Sequence, residues 1–290
     1  MVGNLATGSA RLAANVKEYG YVTTTLALPA SNPEADDYAR DIDGDGDRDN
    51  RLGQLFAAFA QQGGDLRAAL DAAIDRGDLL MLHSLRTPSL EKTEKASWQV
   101  LYAEPTEEPD FSGSGSFTVA STGPSSKRLP AKIKDGHVKT AAGSIPLQLD
   151  LGNGIFALTL KKGKVFADCS KPSCSSGRIN GAITAAQVDT RLIPELAELY
   201  SAIVAQDCPG PGPQSCADGS MGKSIQNLFD EDDDLVITED ELRESSLIQA
   251  VLAPDLDLVK ANGNPGQDGV EDALSAGLGF EAVRARLVRP

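Results

Sequence analysis

The sequence predicts an α+β fold in which a β-rich antiparallel central region, a small sandwich or barrel, is flanked by helices. Three patterns support this. Ile145, Leu147, Leu149 and Leu151 alternate with other residues, an Asn153-Gly154 turn follows, and Phe156, Leu158 and Leu160 alternate again, which is a hairpin signature. Apolar residues at helical spacing stand on either side: Leu52, Leu55, Phe56 and Phe59 before it, and Leu196, Leu199, Tyr200 and Ile203 after it. The chain has 290 residues, 41% of them hydrophobic, enough for one large domain or two ordinary ones with a buried core.

Taken in order, Tyr19 to Pro29 is rich in Val, Thr and Leu and reads as a strand. Arg51 to Ala60 is an amphipathic helix, Gly63-Gly64 separates it from a second helix over Asp65 to Asp75, and Leu79 to Leu85 and Trp98 to Tyr102 are strand-like. Loops at Phe111 to Phe117 and Ser121 to Ser126 lead into a meander. Its parts are Leu129 to Lys134, a turn at Asp135-Gly136, His137 to Thr140, the hairpin, a strand from Val165 set off by Gly163, and Gly177 to Ile183. Thr184 and Gln187 have capping-box spacing, and Pro194 opens a helix. After a Pro/Gly loop at 209–213, Ile225, Leu228 and Phe229, then Leu242, Leu247, Ile248, Val251 and Leu252, put a helix on each side of a short acidic loop. Gly277 to Val288 returns as a strand that can pair with the N-terminal one. The regions are 1–105, 111–183 and 184–290, with borders that are nominal if the chain folds as one unit.

The acidic loop spans Asp230 to Glu241. Asp230, Asp232 and Asp234 alternate, Val236 offers a carbonyl, Ile237 is apolar, Thr238 follows, and Glu241 closes the run. A hard divalent cation takes about six to eight oxygens, and three short Asp side chains on one tight loop repel unless a cation offsets their charge. The stretch resembles an EF-hand calcium loop, in which these residues take positions one, three, five, seven, nine and twelve. Leu235 departs from that pattern, because the sixth position is a Gly in EF-hands and a residue with a Cβ is strained at positive φ. Thr238 and Glu241 also make a capping box at a helix start, a reading that leaves the alternation of Asp230, Asp232 and Asp234 unexplained.

A second acidic run holds Asp41, Asp43, Asp45, Gly46, Asp47 and Asp49, with Leu52 where the closing carboxylate is expected. It resembles the calcium loops of dockerins and thrombospondin type 3 repeats. Asp49 or a side chain from elsewhere has to complete its shell, and it is expected to join a strand to a helix. An Asp/Gly turn capped by Asp49 or Asn50 is the plain alternative. A third candidate contains Asn262, Asn264, Asp268 and Asp272, where Asp268-Gly269-x-x-Asp272 matches Asp45-Gly46-x-x-Asp49. A polar turn explains it equally well, and Asp255 and Asp257 can add oxygens if the chain folds back. The whole layout resembles a group of uncharacterised bacterial secreted or lipoprotein-type proteins with EF-hand-like motifs. That resemblance implies Ca2+ at two loops, with the third as a further candidate, and export from the cytoplasm.

The chain carries 27 Lys and Arg against 42 Asp and Glu, a net charge of −15, which argues against nucleic acid and anionic membrane surfaces as partners. No apolar run reaches the ~18 residues of a transmembrane helix. Cys169 and Cys174, and Cys208 and Cys216, fall as two close pairs across turn-like segments, so local disulfides are expected. A zinc site of four thiolates is the competing reading, with spacings wider than usual for it. Disulfides and calcium loops together point to a secreted, periplasmic or surface-anchored protein. Met1 to Ala6 has neither a charged n-region nor an apolar h-region, so any export signal is expected outside this sequence.

Nothing in the sequence singles out an enzyme. His83 and His137 are the whole imidazole supply and stand in no catalytic frame. Gly222-Lys223-Ser224 imitates the end of a phosphate-binding loop, but Ala217 holds the place of its first Gly. The expected function is therefore extracytoplasmic calcium binding in which the ions are mainly structural. The alternative is a secreted hydrolase, or a module that binds polysaccharide or another surface, stabilised by calcium.

Overall fold

Ten strands form one sheet, and eight of them close it into a ring. The computed structural model describes residues 16–290 apart from Asp65, Asn153 and Ala261. The expected start of the second helix at Asp65 and the Asn153 half of the predicted turn therefore lie outside the described residues, as do residues 1–15. The strands are β1 (Lys17–Ala27), β2 (Met81–Thr87), β3 (Lys92–Tyr102), β4 (Ser116–Thr118), β5 (Leu129–Lys134), β6 (His137–Thr140), β7 (Gly143–Asp150), β8 (Ile155–Cys169), β9 (Ser173–Thr184) and β10 (Ala273–Val288). Antiparallel pairing runs β1-β2-β3-β5-β6-β8-β9-β10 and returns from β10 to β1, as in Tyr21↔Arg284 and Val22↔Val283. The expected union of the two terminal strands thus closes an eight-stranded barrel and removes its open edges. β7 pairs with the first half of β8, and β4 lies parallel on β10.

The central meander is not a closed unit by itself. β5, β6, β8 and β9 supply half of the ring and β1, β2, β3 and β10 the other half, because a few strands with one apolar face cannot bury it alone. β8 also runs unbroken through Gly163, where a two-strand reading was expected. A register shift between Lys161 and Lys164 absorbs the glycine, with Lys162 at a φ of 48°.

Alternate residues fill the barrel interior, among them Tyr21, Trp98, Val100, Ile133, Val138, Val165, Ile179 and Phe280. His83 is one of them. It stacks on Phe280 with centroids 4.5 Å apart, and its Nε2 lies 2.9 Å from Thr23 Oγ1. Burial pushes its pKa down to about 3, so it is a neutral packing residue. The outer faces of β1 and β2 are covered as well: Val22, Leu80, Leu82 and Leu101 lie beneath Phe111 and Phe117. Burial on both faces leaves only Arg86 of β2 exposed and accounts for the mostly apolar run from Leu79 to Leu85.

The helices are α1 (Asn32–Tyr38), α2 (Arg51–Gln61), α3 (Leu66–Asp75), α4 (Ala185–Gln187), α5 (Ile193–Asp207), α6 (Met221–Phe229), α7 (Glu239–Glu244) and α8 (Ser246–Val251). A π-helical turn, Val188–Leu192, joins α4 to α5. Phe59 of α2, Tyr200 of α5 and Phe229 of α6 stack in sequence and tie the two helical regions together. α1 corrects the expected strand-to-helix setting of the first acidic loop, because helices flank that loop on both sides. Its signals are Ser31, which accepts the Glu34 N–H, and Pro33 in the first turn. α1 lies close on β10, where glycines make room: a Cβ on Gly277 would meet the Tyr38 carbonyl, and one on Gly279 the Tyr38 ring. Both expected disulfides are present, Cys169–Cys174 at the β8–β9 turn and Cys208–Cys216 after α5, so no thiolate is left for zinc.

Candidate metal centres

The first loop gathers its acids around one point. Ligand oxygens of Asp41, Asp43, Asp45 and Asp49 all lie within 4.8 Å of one another. Local hydrogen bonds shape the loop: Asp41 accepts the Gly44 N–H at 2.6 Å, Asp45 the Asp47 N–H at 2.8 Å, and Asp49 the Ile42 N–H at 3.3 Å. Gly44 and Gly46 take φ of 98° and 102°, the left-handed region in which Gly carries no Cβ penalty. The loop is closed at its base by a two-way main-chain pairing of Arg40 with Asp49. Asp47 holds the seventh position, from which such loops use the backbone carbonyl, and its side chain is not part of the gathered set.

Asp49 has an unusual environment. Desolvation first, then the charges of Asp255, Asp43 and Asp45, push its carboxyl up to about 7 against the opposing Ile42 hydrogen bond. Asp255 therefore stands near the ninth position. The chain after α8 packs against this loop. The Asp257 N–H donates to Asp43 Oδ2 at 3.2 Å, and Gln267 donates to the Asp43 carbonyl. Asp255 is itself held by the N–H and hydroxyl of Ser275 on β10.

The third loop is thus a neighbour of the first. Asp257 accepts the N–H groups of Asp268 and Gly269, and Asp272 those of Leu258 and Val259, while Asn262 accepts from the Asn264 N–H. Asp257 and Asp272 organise the backbone of this segment, and Leu256 and Leu258 pack with Ile42 and Ala182 beneath it. Among the described residues its acids do not form a cluster like those of the other two loops.

The loop between α6 and α7 gathers Asp230, Asp232 and Asp234 within the same 4.8 Å. Asp230, 8% exposed, accepts the N–H groups of Asp234 and Leu235 at 3.1 and 3.0 Å, and Asp234 accepts that of Val236. Leu235 sits at a φ of 69°, the strain its place in the pattern predicts. The capping box is present too. Thr238 accepts the Glu241 N–H, while Glu241 accepts the N–H groups of Thr238 and Glu231 at 2.7 and 2.8 Å. Partial burial raises the Glu241 carboxyl, but those hydrogen bonds outweigh it and hold the pKa below the usual range. The sequence did not point to Ser201 of α5. Its hydroxyl lies 2.9 Å from the Ile237 nitrogen and 3.0 Å from the Ile237 oxygen, accepting from the first and donating to the second.

Comparison with models of known families, with curated proteins and with solved structures finds no match to this chain. No helix among the described residues is long and apolar enough to cross a membrane.

Proposed function

We propose that the chain is an extracytoplasmic calcium-binding protein whose ions are mainly structural, held by Asp41, Asp43, Asp45 and Asp49 and by Asp230, Asp232 and Asp234. The convergence of carboxylates in two separate helix-flanked loops carries this reading. An all-oxygen donor set suits a hard cation, and loops adaptable in ligand number favour Ca2+ over the strict octahedron of Mg2+. In the second loop Val236 contributes its carbonyl and Glu241 is close at hand, already held beside Glu231 and Thr238. In the first loop Asp255, whose charge acts on Asp49, is the carboxylate from elsewhere in the chain that could stand in for the missing twelfth-position ligand. Both disulfides agree with an oxidising compartment, where millimolar calcium fills weak sites, typically with Kd of ~10⁻⁴ to 10⁻³ M. Within the EF-hand and dockerin likeness, the first loop would fix α1 against α2 and the second α6 against α7.

Calorimetric titration of chelator-stripped protein with calcium, paired with thermal melting, tests the reading. Two binding events and a rise in Tm are expected, since an ion that binds only the folded state must stabilise it. No heat and an unchanged Tm would reduce both loops to solvated turns.

A further inference from the structure

The outer face of β6, β8 and β9 carries a basic cavity that borders the first acidic loop at Asp41 and whose cations the calcium reading does not use. Its volume is about 310 Å³, at the small end of the ~300–1,000 Å³ typical of ligand pockets. Register builds its floor: Lys139 stands beside Phe166 on the neighbouring strand, and two residues along Lys164 faces Asn180. Lys162 joins from the β8 bulge, and the segment from Arg40 to Ile42 forms a wall. Arg40 and Lys139 both approach the Phe166 ring, at 4.6 and 5.6 Å from its centroid.

Two features of the cavity point to a ligand. In a chain of net charge −15, no carboxylate among the described residues forms an ion pair with Arg40, Lys139, Lys162 or Lys164. The nearest acid on the strand, Asp168, is engaged by His137, and Asp41 in the wall accepts the Gly44 N–H. Buried polar atoms are also left over. Arg40 Nε is a donor with no partner among the described residues, and Asn180 Oδ1, on a residue 2% exposed, is an acceptor with none, its amide nitrogen being taken by the Tyr38 carbonyl.

We infer that this cavity binds a small hydroxylated oxyanion of the sugar-phosphate class. The oxyanion meets Lys139, Lys164 and Arg40, the apolar edge of the sugar rests on Phe166, and a ligand hydroxyl donates to Asn180 Oδ1. Phosphate suits the cluster better than a monocarboxylate, because several separate cations converge and each charge-assisted hydrogen bond adds to a multiply charged group.

Titration calorimetry run both with and without calcium keeps this test separate from the metal reading, although Asp41 belongs to both sites. Glucose 6-phosphate is expected to bind with a Kd of ~10⁻⁴ M that weakens with added salt, inorganic phosphate more weakly, and glucose not detectably. The double variant Lys139→Ala/Lys164→Ala should weaken glucose 6-phosphate by about tenfold or more, whereas Lys95→Ala, on β3, leaves it unchanged. Lys162→Gly, which also relieves the positive φ, should weaken binding while the fold is retained by circular dichroism. No binding of glucose 6-phosphate, or binding that survives both the double variant and Lys162→Gly, overturns the site. Equal affinity for inorganic phosphate and glucose 6-phosphate overturns the assignment of a hydroxylated ligand.

Discussion

Ser201 and Leu235 show how differently two residues that shape one loop can be read. Leu235 was legible: the spacing of Asp230, Asp232 and Asp234 fixes the sixth position, and its φ of 69° is the strain that position imposes. Leu235→Gly should stabilise the protein by up to about 1 kcal/mol, the relieved strain being partly offset by glycine entropy and lost packing. Leu235→Ile should cost about 1 kcal/mol or more, because a β-branched residue is worse there. Urea midpoints check the order Gly, Leu, Ile, and Ile matching Leu would show that the turn relaxes. Ser201 was invisible, since an α5 serine has no pattern relating it to a loop far along the chain. Its hydroxyl serves both main-chain groups of Ile237, so Ser201→Ala leaves a nearly buried N–H and C=O unpaired and should cost about 1–3 kcal/mol. If the loop binds calcium, its affinity should fall in the same variant, measured by titration against wild type.

Among the elements, α1 with the first loop and α2 was half legible. The Asp run announced the loop and the apolar spacing announced α2, but α1 has only seven residues, too short for periodicity to register. The glycines that admit it, Gly277 and Gly279, lie at the far end of the sequence, and only the fold shows what they face. Asn50 holds the three parts together. Its oxygen caps α2 at the Gly53 N–H, and its nitrogen donates to the carbonyls of Ala35 on α1 and Gly277 on β10, at 2.9 and 3.1 Å. Asn50→Ala therefore loses a cap and orphans two buried carbonyls, and a loss of about 2–4 kcal/mol is expected by denaturant unfolding. Asn50→Asp keeps the cap acceptor yet should be at least as damaging, since it sets a carboxylate against two carbonyls beside an acidic loop. An aspartate variant as stable as wild type would mean that the cap alone matters.

Across the whole molecule, the pairing of the two terminal strands was legible but the ring it closes was not, because alternation marks strands and not how many of them share one sheet. β1 and β10 come from opposite ends of the chain, and Glu18 shows what holds that region together. Its carboxylate accepts from Ser84 and Arg86 of β2, from Arg128 before β5 and from Arg289 after β10. Burial acts to raise its pKa, but the hydrogen bonds from Arg289 and Ser84 and the charges of Arg289 and Arg86 prevail and bring it down to about 2. A carboxylate with a lowered folded-state pKa contributes stability that is fully present above its ordinary value of 4.5 and is lost as pH falls from there towards about 2. Glu18→Gln should thus destabilise the protein at neutral pH, where three arginines lose their common partner. The stability gap to wild type should narrow steadily below pH 4.5 as Glu18 takes up its proton. Other carboxylates titrate in the same window but are common to both proteins, so the difference between them isolates this one group. Urea unfolding of the pair at a series of acidic pH values gives that difference directly, and a gap that stays constant through the window would mean that Glu18 is not what joins β1 to β2 and to the arginines at the ends of β5 and β10.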